Sequence, residues 1–399
     1  MKALAVGMIG VGDLTLKQHL PNARRCGWLR VDVLCDLKAE RLEQGLALAE
    51  GARTTADYRE VLADPGIDLV VVALAPERHA AIAIEALRAG KHVYVEKPLA
   101  EDAATALRVA GVARETGRHV AVGFNRRFAP AYRDAYALVS RDRGPIMLTY
   151  RLVDDNRDRA SHWRDRSRLL DECCHVFDVF NWFARSRPVR LFATGIGRDE
   201  DHQIVVEYAN GVTASLFTSS RGAFHWPKER IEIVGDNKVV AVEDFVELQS
   251  GGIPGWETRR YAGCEYPGFS RGYGKLFASL GLPFYREMRA HMGDLLLNSG
   301  LLEQCPDEDK WTAVARRFPE QMRMPVNYAC DKGWYAALAG FGQAILEGRT
   351  PDNADADAGA LTVLMSLAAQ ASVRTGAPQA VPDMAGCSRT AWINDDAGR

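Results

Sequence analysis

The amino-terminal third of the chain repeats one alternation that few folds accommodate: a short apolar run, a turn, an amphipathic helical pattern, then the next apolar run. Apolar runs stand at 4–9, 31–35, 68–74, 92–95 and 119–122, and helical periodicity at 14–27, 38–50, 79–89 and 103–116. The run at 68–74, DLVVVAL, has no polar interruption after its first residue. That suits a parallel strand covered on both faces rather than a half-exposed one. Glycines at 90 and 117 stand where two of the helical patterns stop. Repeated strand–helix–strand units imply a parallel sheet with helices on both faces.

After about residue 140 the period changes, and strand patterns follow one another directly. They lie at 146–152, 189–194, 203–208 and 213–218, with Asn210-Gly211 as a hairpin turn between the last two. A second pair, 229–234 and 238–242, flanks Gly235-Asp236-Asn237, and a helical stretch at 169–183 separates the first two strands. This part reads as α+β with a large, mostly antiparallel open sheet. Residues 255–330 are rich in glycine, proline and aromatic residues, and read as an insertion, partly helical around 283–297. Helices follow at 334–347 and 358–375. The expected division is a first domain over 1–125 and a second over 126–399 that carries the insertion.

At 399 residues the chain is too long for one ordinary core, and 47% hydrophobic with 26% charged residues is a globular balance. A net charge of −2 leaves no basic surplus for nucleic acid. No run of eighteen apolar residues suggests a membrane span. The opening MKALAVGMIGVGDL has the start of a leader peptide, but its glycines and Asp13 interrupt it, so it reads as a buried strand and the expected compartment is the cytoplasm. Cys26, Cys35, Cys173, Cys174, Cys264, Cys305, Cys330 and Cys387 show neither zinc-site nor disulfide spacing. Reduced thiols and no metal are expected.

Gly10-Val11-Gly12-Asp13-Leu14-Thr15 follows the first strand and opens a helix. A pyrophosphate needs this bare backbone and a helix N-terminus, although a plain strand–helix turn has the same look. Thr15 stands where a third glycine is usual, and Asp13 reads as a helix cap. Asp36 ends the second strand where an acid takes the ribose hydroxyls of NAD, and Leu37 after it offers nothing to a 2′-phosphate. The alternative is that Asp36 caps the next helix. Glu96-Lys97-Pro98 puts a lysine at the carboxyl end of a strand, where such sheets bind ligands, with Glu96 able to orient the ammonium. A lysine there is also commonly just solvated. Asp171, His175 and Asp178 share a helix face, which suits a histidine base flanked by carboxylates or an ordinary salt-linked surface.

Together these segments resemble the glucose–fructose oxidoreductase/inositol dehydrogenase (Gfo/Idh/MocA) family. The resemblance rests on the glycine turn, on Ala75-Pro76-Glu77-Arg78-His79, on the run from Gly90 to Leu99, on Asn125-Arg126-Arg127-Phe128 and on Asp171 through Asp178. Glu77 departs from the family's usual Asn. The resemblance implies a Rossmann domain followed by an open-sheet domain whose outer face forms homodimers or homotetramers. It implies NAD, with NADP less favoured, as cofactor and a sugar or polyol as substrate. Lys97, Asp171 and His175 map onto the catalytic positions. Gly10, Gly12, Asp13, Leu14, Asp36, Leu37, Ala75, Pro76, His79, Glu96, Lys97 and Asn125 would meet the cofactor. Arg126, His162, Trp163 and Lys332, with the catalytic trio, would line the substrate pocket. The expected activity is net oxidation or reduction at a CH–OH carbon; a redox-neutral NAD-dependent glycosidase or epimerase, or a sugar sensor without catalysis, are the alternatives.

Overall fold

The structure is a computed structural model that describes residues 3–140, 144–154, 167–196, 201–264, 273–298, 317 and 329–384. The first part contains β1 (Leu4–Ile9), α1 (Leu20–Arg25), β2 (Leu29–Cys35), α2 (Ala39–Leu46), β3 (Arg53–Thr55), α3 (Tyr58–Ala63), β4 (Leu69–Val72), α4 (Pro76–Arg88), β5 (His92–Val95), α5 (Ala103–Thr116) and β6 (Val120–Val122). Its six strands are parallel in the order β3-β2-β1-β4-β5-β6. All four residues of β4 are fully buried, as a central strand with helices on both faces requires. The Asp102 carboxylate caps α5 by accepting from Thr105 N–H at 2.8 Å. This is the parallel, two-faced sheet that the alternation implies.

The second part contains α6 (Pro130–Val139), β7 (Met147–Val153), α7 (Arg168–Asp171), α8 (Cys173–Ala184), β8 (Pro188–Ile196), β9 (Asp201–Tyr208), β10 (Thr213–Ser219), β11 (Glu229–Gly235), β12 (Lys238–Glu243), β13 (Glu247–Gly251), β14 (Thr258–Arg260), α9 (Tyr273–Asn298), α10 (Trp334–Glu347), α11 (Ala356–Thr375) and β15 (Gln379–Ala380). The nine strands run β14-β13-β12-β11-β7-β10-β9-β8-β15, antiparallel except where β7 lies parallel to β10. Asp236 and Asn237, both with positive φ (48° and 61°), form the tight turn between β11 and β12. The expected α+β half with its mostly antiparallel sheet is therefore present.

Several local expectations are corrected. The helix at 14–27 opens as a π-helical turn, Thr15–His19, before α1. The helix at 169–183 is two helices that break at Glu172. Within 255–330 the described part holds β14 and α9, with α9 kinked where Gly281 has φ 68°. Helix α10 lies beyond residue 125 in sequence, yet its Ala337, Leu338 and Phe341 share one hydrophobic cluster with Leu4, Val6 and Met8 of β1. It covers a face of the first sheet that α1, six residues long, is too short to cover.

Helix α11 lies between the two sheets. It packs against α5, α8 and β8, and its Asp357 pairs with Arg114 of α5 at 2.5 Å. It is long and apolar enough to cross a membrane by composition (mean hydropathy 1.3), but 78% of that window is buried inside the fold. It is a core helix.

Candidate active site

The carboxyl ends of β1, β2, β4 and β5 converge at one edge of the parallel sheet. Gly10 follows β1 with φ +95°, and a Cβ there would stand 2.2 Å from the Ala73 carbonyl oxygen, so the protein itself requires glycine. At Gly12 a Cβ would meet nothing within 4 Å. Among the described residues that glycine serves no contact; it leaves bare backbone open to a group from outside. Thr15, in place of the third glycine, is buried and donates its hydroxyl to the Gly10 carbonyl at 2.7 Å. The departure from the glycine pattern thus locks the turn.

Asp36, at the end of β2, accepts from Val11 N–H at 2.8 Å and from Lys38 N–H at 2.9 Å. Its carboxylate is fixed beside the glycine turn with acceptor capacity left over. Leu37 next to it is 83% exposed, an apolar side chain presented to solvent at the same edge. Ala75 and Pro76 begin α4 at the end of β4. Bare backbone at Gly12, a fixed ribose-type acid and an apolar ledge fit a dinucleotide. Asp13 does not cap the helix. It pairs with Lys17 at 2.9 Å and Arg41 at 2.8 Å. Partial burial opposes its ionisation, but those two cations outweigh it and hold the carboxyl below its usual range.

Glu96 and His79, both expected at the cofactor, are spent inside the protein. The buried Glu96 carboxylate faces His19 Nε2 at 3.0 Å, not the Lys97 ammonium. His79 places Nδ1 2.8 Å from the Pro98 carbonyl and Nε2 3.0 Å from the Leu74 carbonyl. A carbonyl only accepts and a neutral imidazole carries one N–H, so the ring, which burial favours in its neutral form, donates to one of these carbonyls and lies against the other, between the ends of β4 and β5. A buried polar group needs such partners, and here backbone supplies them.

The Lys97 ammonium donates to Asp171 Oδ1 at 2.9 Å and to the Asp171 carbonyl at 2.8 Å. Burial alone would lower its pKa, but the charges of Asp171 and Glu172 more than reverse this, so Lys97 stays protonated. Asp171 ends α7, and His175 lies in the first turn of α8. The His175 ring is buried edge-on against Phe124, with centroids 5.7 Å apart. Its Nδ1 has no hydrogen-bond partner among the described residues. Burial, then the charges of Arg126 and Lys97, press its pKa well below the usual 6.5, so the ring is neutral. Asp178 does not flank His175. It makes a bidentate pair with Arg127, at 2.7 and 2.5 Å, on the wholly buried α8.

Arg126 and Lys332 lie near this centre but are tied to an acid that no local pattern reveals. Glu229, at the start of β11, is fully buried. It accepts from Arg126 Nε at 2.6 Å and Nη2 at 3.0 Å, from Lys332 Nζ at 2.6 Å and from Tyr150 OH at 2.7 Å. Burial would raise its pKa, yet Arg126 and Lys332 drive it well below normal. Asn125 donates to the Lys332 carbonyl at 2.7 Å, which brings the chain before α10 against the end of β6.

Asp244 accepts from the backbone N–H groups of Lys228 at 2.8 Å and Glu229 at 2.5 Å. Asp244 and Phe245 both have positive φ, 43° and 65°, a costly backbone for non-glycine residues. Lys228 meets Asp154 at 2.9 Å and Glu172 at 3.2 Å. His162 and Trp163 lie outside the described residues.

Residues 4–124 match the family described as "Oxidoreductase family, NAD-binding Rossmann fold", and residues 144–241 match "GFO/IDH/MocA C-terminal domain". An inositol 2-dehydrogenase of Acidothermus cellulolyticus is 31% identical over 255 residues, 60% of this chain and 73% of the relative. The uncharacterized oxidoreductase YrbE of Bacillus subtilis is 26% identical over 258 residues, 61% and 74% of the two chains. A levoglucosan dehydrogenase solved with NADH and L-sorbose has the same fold, with a TM-score of 0.73 at 19% identity, over 96% of this chain and 100% of that one. The strand order, the glycine turn and these matches lead to one conclusion: this chain belongs to the Gfo/Idh/MocA family of NAD-binding oxidoreductases.

Proposed function

We propose that the chain is an NAD-dependent dehydrogenase that transfers hydride between the nicotinamide and a hydroxyl-bearing carbon of a sugar, polyol or glycoside. The observation that carries this reading is the part-buried Lys97–Asp171 pair at the end of β5, set beside a neutral His175. NAD, when bound, supplies the hydride chemistry itself. The turn Gly10 to Leu14, with Asp36, Leu37, Ala75 and Pro76, would hold it. The Asp36 carboxylate favours a ribose diol over a 2′-phosphate, and the Arg41 guanidinium is already paired with Asp13.

Lys97 holds the reacting oxygen and supplies positive charge where an alkoxide develops. Asp171 fixes the ammonium by two bonds. His175 accepts the hydroxyl proton, because a neutral ring is the form that can take one. Arg126 and Lys332 act mainly by holding the pocket wall through Glu229. The test is a panel of sugars, polyols and glycosides followed at the reduced-nicotinamide band with product analysis. At least one should give NADH with an oxidised product. The Lys97→Ala variant should lose about 10²–10³-fold in turnover while still binding NAD. Product without NADH would refute net oxidation, and undiminished turnover would remove Lys97 from the chemistry.

The chain also works as a homo-oligomer through the outer face of the large sheet. Met147, Phe192, Ile196, Val205 and Phe217 project from that face and are exposed. Exposed apolar side chains grouped on one face mark an interaction surface. Phe217→Lys should yield monomers by light scattering after size exclusion; a monomeric parent protein would refute the assignment.

A further inference from the structure

The amino-terminal edge of the parallel sheet, opposite the reaction site, carries a cluster that the reaction does not use. Strands β5 and β6 open with the same pattern, Gly90-Lys91-His92-Val93 and Gly117-Arg118-His119-Val120. The strands are parallel neighbours with Val93 paired to Val120. The two histidines therefore fall side by side and stack, with centroids 5.3 Å apart and planes at 21°. Next to them is a cavity of about 370 Å³ whose lining includes Asp68, Lys91, His92 and Arg118. Strand β5 runs four residues from His92 to the turn that carries Lys97, a length of about 13 Å. This cavity is not part of the reaction site.

The tautomer of His92 follows from geometry. The backbone N–H of His119 points at His92 Nδ1, 3.1 Å away. A peptide N–H can only donate, so Nδ1 accepts and the ring proton sits on Nε2. His92 Nε2 lies 3.3 Å from Nη1 of Arg118. A guanidinium has no acceptor either. Two N–H donors thus face one another, an arrangement that an acceptor oxygen bridging them would satisfy.

Lys91 adds positive charge to the wall while its Nζ is held by the carbonyls of Asp64 at 2.6 Å and Ile67 at 2.9 Å. Asp68 is the acid in the lining, and one of its oxygens accepts from Ala5 N–H at 3.0 Å. Lys91 and Arg118 against Asp68 leave the wall net positive. Burial, then His119 and Arg118, lower the His92 pKa to about 4, so at neutral pH the ring is a neutral donor through Nε2. The lining also includes the apolar side chains of Leu4, Ile67, Ile345 and Leu346.

We propose that this cavity binds a small oxyanion, a phosphate ester or a carboxylate, with one oxygen seated between His92 Nε2 and Arg118. The bond from Arg118 is charge-assisted on both sides and that from His92 by the anion, and both match the donors already present.

The experiment uses the whole chain saturated with NAD, so that phosphate cannot report on the glycine turn. Inorganic phosphate and acetate are titrated separately at constant ionic strength, and the histidine-ring nitrogens are followed by NMR. A saturable shift of the His92 ring is expected with one of them. Phosphate alone would assign a phosphate ester, and acetate a carboxylate. Arg118→Ala, at an exposed position, should raise the dissociation constant at least tenfold, and His92→Phe should abolish the effect at the remaining His119 ring. No shift with either anion, or equal affinity in the parent protein and Arg118→Ala, overturns the proposal.

Discussion

Glu229 is the sharpest place to test this account, because replacing its carboxylate with an amide of the same shape should destabilise the whole fold. In the native protein its two oxygens meet three Arg126 and Lys332 hydrogen bonds and one from Tyr150. In Glu229→Gln one of the two oxygens becomes an N–H₂ donor that faces these donors. Arg126 and Lys332, both buried, then lose their counter-charge. Among the described residues Lys332 then keeps the Phe245 ring, 5.2 Å from its ammonium. Removing one partner from a buried ion pair costs about 3–5 kcal/mol, a large share of the roughly 5–15 kcal/mol that holds a domain together.

The assay is urea unfolding of the parent protein, Glu229→Gln, Arg126→Met and the double variant. The two changes share a partner, so the double variant should cost less than the sum of the singles. The pH dependence has a definite sign. The folded pKa of Glu229 lies well below its ordinary 4.5, so its contribution is complete above that value and is lost as pH falls through the folded pKa. The gap between parent and Glu229→Gln should therefore hold steady at neutral pH and narrow only in acid. A cost under about 1 kcal/mol at pH 7, or strict additivity with Arg126→Met, would refute the reasoning.

The glycine turn makes opposite predictions at its two glycines. Gly10→Ala should destabilise the fold, because its Cβ would strike the Ala73 carbonyl in a left-handed backbone, whereas Gly12→Val should fold normally and lose NAD binding by calorimetry. Asp36→Ala should weaken NAD at least tenfold and NADP much less; equal loss of both would overturn the ribose assignment. Because the His175 pKa is depressed, kcat/KM should stay level as pH falls past 6.5 and drop only further into acid, and a limb centred near 6.5 would show that the ring is not held neutral.

Much of the first half was legible because its signals are local. Strand β5 and helix α5 lie where periodicity puts them, and Asp102 and Gly117 mark the ends of that helix. The segments 53–55 and 58–63 leave no mark in the sequence pattern, because a three-residue strand and a six-residue helix carry too little periodicity. Spacing on one helix face was misleading for Asp178. It assumes a continuous helix, and the chain breaks at Glu172 while buried Arg127 claims the acid. Glu96 and His79 were recognisable as belonging to this edge, but which partner each takes depends on residues far away in sequence, His19 for one and the Pro98 carbonyl for the other. Glu229 gave no signal at all, because an acid that begins a strand is ordinarily exposed.

Charge accounting explains why these long-range partners matter to chemistry. Lys97 is met by Asp171, Arg126 and Lys332 by Glu229, and Lys228 by Asp154 and Glu172. Each of these cations thus has an anion within the fold, so on the proposed mechanism the positive charge at a developing alkoxide is held in place before substrate arrives. Preorganised charge of this kind requires no rearrangement during reaction. Against that background the His175 ring stands apart, neutral and with Nδ1 unengaged among the described residues. A carboxylate on that nitrogen would make the ring easier to protonate but would also fix a proton on Nδ1 in every state. On the proposed mechanism the neutral ring, set among these matched cations, is the form that takes a proton from an alcohol bound at Lys97.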